Sequence, residues 1–164
     1  MMRSVTECDA AQLCDIYNYY ALHTTITFEV EAVSAGVMTL RIQESVKDGL
    51  RGPSWLVWEE DERVLGFCYA SNWKGRSAYR HSVESTVYVH PDYLRRGIGL
   101  RLYEALLAEL RLRGIHAVIG GIALPNAASI GLHERLGFEK VAHFREVGRK
   151  FDRWIDVGYW QLCL

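Results

Sequence analysis

What this chain lacks narrows it first. Its 164 residues include only four cysteines, Cys8, Cys14, Cys68 and Cys163, and no two of them form a C-x-x-C pair. That speaks against a disulfide framework and against a zinc knuckle, so reduced, buried thiols and no metal site are expected. No apolar run approaches the ~20 residues of a membrane span. The opening MMRSVTECDA has no apolar signal core, so a cytoplasmic location without a membrane partner is expected. An excess of one charge is missing as well: the formal net charge is −1, which argues against a nucleic-acid partner. No repeat, low-complexity tract or Pro/Gly/Ser-rich linker divides the chain, and one domain over 1–164 is expected. G-x-x-x-x-G-K-[ST] is absent, and a G-x-G-x-x-G fingerprint fails because Leu102 stands where its third glycine would be.

What is present is a clear alternation of periods. After a short N-terminal strand, Asp9 can cap a helix to about Leu22, with Leu13, Ile16, Tyr17 and Tyr20 on one face. The loop HTTITFEVEAV leads to a second helix over 34–47. SWLVWEE and RVLGFCYASNW read as a hairpin joined at Asp61-Glu62. In SVESTVYV, Val83, Ser85, Val87 and Val89 share one strand face, and Glu84, Thr86 and Tyr88 the other. An amphipathic helix follows, striped by Leu102, Leu106 and Leu110 and ended by Gly114. HAVIGGIAL is a buried strand; NAASIGLHERLG is a short helix opened by Asn126 and closed by Gly137; the tail forms two strands. This order of elements gives a mixed sheet with helices on both faces.

Between the third of these strands and the amphipathic helix lies YLRRGIGL. Glycine is needed where φ is positive or where something must approach the backbone, and the helix start behind it offers unpaired N–H groups. Taken alone, the stretch is either a phosphate cradle or a plain strand-to-helix turn with solvated arginines. The pairing of V-Y-V-x-P-x-x-x-R-R-G-I-G with the later N-A-A-S-x-x-L-H-E-R-L-G-F resembles the GNAT superfamily of acetyl-CoA-dependent N-acetyltransferases. ITFE, WKGRSAYRHSVESTVYV, GLHERLGF and VGRKFDRWIDVGYWQL resemble its phosphinothricin and methionine sulfoximine acetyltransferase branch, over nearly the whole chain. The pattern departs at Leu94, where the superfamily usually has Gln or Arg.

The resemblance implies an α+β, three-layer fold: a mixed, mostly antiparallel sheet of about seven strands flanked by helices, the acyl-CoA N-acyltransferase fold. It implies acetyl-CoA as cosubstrate and a homodimer. The turn Arg95, Arg96, Gly97, Ile98, Gly99 and Leu100 would hold the pyrophosphate on its N–H groups. The arm would lie along Val87, Tyr88 and Val89 as an added strand, with Asn126 and Ser129 as further contacts. Asn126 is equally a good N-cap.

Acetyl transfer to an amine needs a base, an oxyanion donor and a proton for the departing thiolate. Glu84 is the expected base, directly or through water; the competing reading is an exposed strand carboxylate. His133 stands where many relatives of this pattern have a tyrosine thought to protonate the thiolate, and is either that acid or a packed helix residue. Lys74, Gly75, Arg76, Tyr79 and Arg80, with Ser85 and Thr86, are the expected acceptor contacts, since arginines beside a tyrosine suit a small oxyanion. The loop from Thr24 to Glu29 would cap the amine side, with Phe28 either in the cleft or in the core. No thiol or serine beside a base suggests an acyl-enzyme, so direct attack in a ternary complex is expected, on the α-amine of a small amino acid or analogue. The alternatives are another amine, such as a protein N-terminus or an antibiotic, and a non-catalytic acyl-CoA-binding module.

Overall fold

The computed structural model describes residues 1–47 and 55–164, with only the backbone of 45–47. The elements follow the expected order: β1 (Met2–Ser4), α1 (Ala10–His23), α2 (Ala35–Lys47), β2 (Trp55–Glu60), β3 (Arg63–Asn72), β4 (Ser82–Val89), α3 (Ile98–Leu112), β5 (Ala117–Ala123), α4 (Ala127–Arg135), β6 (Glu139–Lys150) and β7 (Arg153–Cys163). The expected start of β2 at Ser54 lies outside the described residues.

Seven strands form one sheet in the order β1-β2-β3-β4-β5-β7-β6. Every neighbouring pair is antiparallel except β4 and β5. The period-2 alternation of β4 sorts its side chains onto two cores. Tyr88 joins Leu13, Ile16, Tyr17, Met38 and Phe67 under α1 and α2. Val83 joins Leu65, Val118, Ile122 and Trp160 under α3, with Val87 and Val89 packed against them. The stripe expected on α3 is fully buried there, Leu102 and Leu106 at 0% exposure and Leu110 at 1%. Each such side chain contributes roughly 1.5–3 kcal/mol of burial.

Two expectations need correction. Asp9 occupies the N-cap position of α1, but its side chain makes no cap bond. Its carboxylate instead takes both guanidinium nitrogens of Arg3 at 2.8 Å and the Thr6 N–H at 2.7 Å. A bidentate, charge-assisted pair outcompetes a single helix N–H. Of the four thiols only Cys14 and Cys68 are buried; Cys8 and Cys163 are exposed, in the turn before α1 and at the last residue of β7.

Candidate active site

The site is made by a strand pair that stops pairing. β4 and β5 share only three register positions, Ser82↔Ala117, Val83↔Val118 and Glu84↔Ile119. Beyond them β5 continues beside β7 to Ala123, while β4 continues beside β3 to Val89. The two strands diverge into a wedge, with Ser85 Oγ at its apex, 3.4 Å from the Ile119 carbonyl. The ladder toward β3 uses the Ser82 carbonyl and the His90 N–H. By strand parity the backbone groups of Val87 and Val89 therefore face the wedge, and those of Tyr88 face β3. The Val89 carbonyl accepts from the Tyr20 hydroxyl; the N–H groups of Val87 and Val89 point into a gap that no strand among the described residues fills.

A cavity of about 380 Å³ occupies the wedge, lined among others by Glu84, Ser85, Thr86, Val87, Tyr88, Asn126, Ser129, His133 and Phe28. Nine expected site residues thus share one space, and Phe28 takes the cleft reading over the core one. Val89 and the turn from Arg95 to Leu100 sit beside this space rather than in its wall. A Cβ on Gly99 would lie 3.5 Å from Val89 Cγ2 and 3.8 Å from Leu132 Cδ2, so the turn abuts the end of β4 and the helix α4. Gly97 is left-handed, at φ +78°, and caps α3 with no side-chain bond; the first intrahelical bond runs from Arg101 N–H to Gly97 O. The N–H groups ahead of it are available to an anion. Arg95 is also left-handed, at φ +60°, and Arg96 pairs with Glu60 at 3.1 Å. Leu94, the point of departure from the pattern, is exposed.

Sequence reasoning passed over the two glycines of β5, and they explain the two ionisable groups. A Cβ on Gly120 would fall 2.3 Å from His133 Nε2, and one on Gly121 would fall 3.1 Å from Glu84 Oε1. Consecutive strand residues face opposite ways, so His133 lies against one face of β5 and Glu84 against the other, both opening into the wedge. A glycine inside a β-branched strand signals such close approach, and VIGGIA carried that signal.

Glu84 is half-buried, and burial raises its pKa above the ordinary carboxylate value, with Lys74 pulling it down. Among the described residues no donor bonds its carboxylate, so desolvation wins. His133 is 4% exposed. Its Nδ1 lies 2.8 Å from the Ser129 carbonyl, which can only accept, so Nδ1 carries the proton. Burial lowers the ring's pKa, and the neutral ring therefore accepts at Nε2 from the Tyr103 hydroxyl, at 2.9 Å. The Tyr103 oxygen accepts in turn from Ser85 Oγ at 2.6 Å. Tyr103, wholly buried on α3 yet lining the cavity, is a residue that sequence reasoning missed; its place in the apolar stripe disguised it as core.

Asn126 does cap α4, accepting the Ser129 N–H at 3.0 Å through Oδ1. The cap uses only Oδ1, and Asn126 lines the cavity, so its two readings are compatible. Lys74, Gly75, Arg76, Tyr79 and Arg80 are all exposed, and none lines the cavity. Lys74 alone is electrostatically linked to Glu84, from a position over the Trp73 ring, which meets Tyr159 of the cavity wall edge-on at 5.6 Å.

Comparison with known proteins agrees with this geometry. Residues 2–158 match the family described as acetyltransferase (GNAT) domain. The phosphinothricin N-acetyltransferase of Streptomyces viridochromogenes is 39% identical over 98% of this chain and 85% of its own length. The L-methionine sulfoximine/L-methionine sulfone acetyltransferase of Salmonella typhimurium is 36% identical over 99% of this chain and 94% of its own. Among solved structures, a phosphinothricin acetyltransferase from Sinorhizobium meliloti in complex with AcCoA superposes with a TM-score of 0.92 at 32% identity, covering 100% of this chain and 88% of that one. A ribosomal-protein-alanine N-acetyltransferase from Brucella melitensis superposes with a TM-score of 0.95 at 34% identity, covering 100% and 99%.

Proposed function

The chain belongs to the GNAT acetyltransferases, and from that premise we propose that it acetylates the α-amine of a small amino acid or analogue, such as phosphinothricin, methionine sulfoximine or methionine sulfone, with acetyl-CoA. The observation that carries this reading is the wedge: an unpaired β4 edge, with a desolvated carboxylate on one side and a Tyr103–His133 pair on the other.

The residues present fit acetyl-CoA. The N–H groups of Val87 and Val89 would bond its arm, the N–H groups from Gly97 into α3 would hold the pyrophosphate, and Asn126 and Ser129 would add side-chain contacts. Acetyl-CoA supplies an activated acyl thioester when bound. Glu84 takes the proton that the attacking amine must lose, directly or through one water, and its raised pKa brings it closer to that task. On the opposite side of the wedge the single hydroxyl proton of Tyr103 is held by the neutral His133, which accepts it at Nε2. Turned from Nε2 toward the cavity, that proton would be donated where negative charge develops, and His133, held by Ser129, sets the resting orientation of the hydroxyl. This divides between two residues the acid role that the sequence suggested for His133 alone.

Lys74, the cation of that exposed segment that acts on the Glu84 carboxyl, would meet an acceptor carboxylate beside the cavity, with Arg76 and Arg80 further along the same segment. The same family reading gives a cytoplasmic homodimer. Among the described residues no helix is long and apolar enough to cross a membrane. Exposed Phe144, Phe151 and Trp154 on the β6–β7 hairpin are suited to covering by a second copy. The test is an acceptor panel with acetyl-CoA, read as thiol release. Amino acids with sulfoximine, sulfone or phosphinate groups should exceed polyamines and peptides; a peptide N-terminus as preferred acceptor would overturn the amino-acid reading, and no release with any amine would leave a binding module.

A further inference from the structure

One wall of the cavity involves residues with no part in the chemistry above. The wall opposite β5 is formed by the loop between α1 and α2, whose Ile26, Thr27 and Phe28 line the cavity without regular secondary structure. Two consecutive residues of this loop lie across the last residues of β6. The Phe28 ring rests on Gly148, where a Cβ would come within 2.4 Å of its Cζ. The Thr27 carbonyl accepts from Lys150 Nζ at 2.7 Å. Gly148 and Lys150 are two positions apart on one strand, in register with Ile155 and Arg153 of β7, and so present the same face to the loop.

Lys150 is an unusual residue to find there. It is 3% exposed, and lysine is almost never fully buried without a partner. Among the described residues its hydrogen-bonded acceptor is that loop carbonyl, and burial depresses its pKa, with Glu29 opposing. Burying an ammonium group is costly; here the charge sits 5.2 Å over the Phe151 ring and its hydrogen bond fixes the position of Thr27. The Thr27 side chain has nearer ties: its Oγ1 lies 2.9 Å from the Tyr17 hydroxyl and accepts the Glu29 N–H at 3.4 Å.

We infer that Gly148 and Lys150 form a seat for the acceptor-side wall, in which Lys150 is a positioning residue that holds Thr27 and Phe28 against the bound amine substrate. Gly148 admits the Phe28 ring by having no side chain, and Lys150 fixes the peptide before that ring. Neither touches the wedge where the cofactor arm would lie, so the seat governs the acceptor and not acetyl-CoA. The inference rests on the amino-acid acetyltransferase reading for its kinetic consequences, but its structural part stands without it.

The experiment compares the full-length protein with Lys150→Met, Lys150→Arg and Gly148→Ala. Lys150→Met keeps the aliphatic packing and removes the donor; Lys150→Arg keeps a donor. Lys150→Met and Gly148→Ala should raise KM for methionine sulfone about ten- to a hundredfold, the range expected for losing one hydrogen bond to a charged group. KM for acetyl-CoA should stay within about twofold, and Lys150→Arg should recover part of the loss. Hydrogen exchange read on 24–29 should accelerate in Lys150→Met, with β4 and β5 unchanged. Equal changes in both KM values, an unchanged acceptor KM, or unchanged exchange in the loop would overturn the seat. A parent protein with no activity toward any amino-acid acceptor would overturn the functional reading instead, and the exchange result would still decide for or against the seat. If Gly148→Ala does not fold, the two Lys150 variants and the exchange measurement decide alone.

Discussion

Gly120→Ala is the sharpest perturbation that this structure offers. A methyl group at that position would start 2.3 Å from His133 Nε2 and 2.6 Å from Cδ2, whereas ordinary carbon contacts begin at 3.4 Å. The imidazole must therefore retreat by at least about 1 Å. It cannot do so and keep both the 2.9 Å bond from Tyr103 and the 2.8 Å bond to the Ser129 carbonyl. One buried hydrogen bond is worth ~1 kcal/mol and overpacking costs ~1–3 kcal/mol, so a loss of about 2–4 kcal/mol in unfolding free energy is expected. Urea unfolding measures it as a lower midpoint at unchanged slope. Turnover should fall about 100-fold or more, because the proton donor loses its orienting partner. The double variant with His133→Ala provides the control: the methyl group then enters vacated space, and the two losses should fall short of additivity by ~1–3 kcal/mol. Strict additivity, or a Gly120→Ala protein with parental stability and turnover, would refute the claim that this glycine exists to admit the His133 ring.

Three further outcomes follow from the same site. Glu84→Gln should keep acetyl-CoA affinity by calorimetry and lower turnover about 100-fold; because burial raises the carboxyl's pKa and Lys74 lowers it, activity should fail on the acid side above the pH of an ordinary carboxylate, and Lys74→Met should move that limb to still higher pH. Gly97→Val strains a backbone at φ +78°, and should weaken acetyl-CoA binding; Gly99→Ala makes only ordinary contacts in the free protein, so a loss of affinity there reports on the bound pyrophosphate, and normal binding in both places the cradle elsewhere. Tyr103→Phe leaves His133 Nε2 without its donor and should cost ~1–3 kcal/mol of stability together with turnover, while an acceptor KM that rises with kcat unchanged would deny it a part in the chemistry.

Much of this was legible in the chain, for identifiable reasons. Element order followed from period and punctuation, since the leucine stripe of α3, the Asp61-Glu62 turn and the Asn126 cap are local signals. The two motifs at Arg95–Leu100 and Asn126–Gly137 carried the family. The wedge was not legible, because which strand edge lies open depends on a register shared by Glu84 and Ile119, and such pairing is non-local. Tyr103 could not be told from core by its helical spacing. The exposed placement of Arg76 and Arg80 was equally out of reach, because charge along a loop says nothing about which way the loop turns.

The three-residue junction between β4 and β5 also makes the sheet two antiparallel halves, β1–β4 and β5–β7, hinged at one short seam. A molecule laid along Val87 and Val89 acts there as a missing strand, stitching a seam that the polypeptide itself leaves open. Binding and cohesion of the halves are then the same free energy. At a hundredfold excess over its dissociation constant such a guest adds about 2.7 kcal/mol to the folded state, delivered at a seam of three register positions.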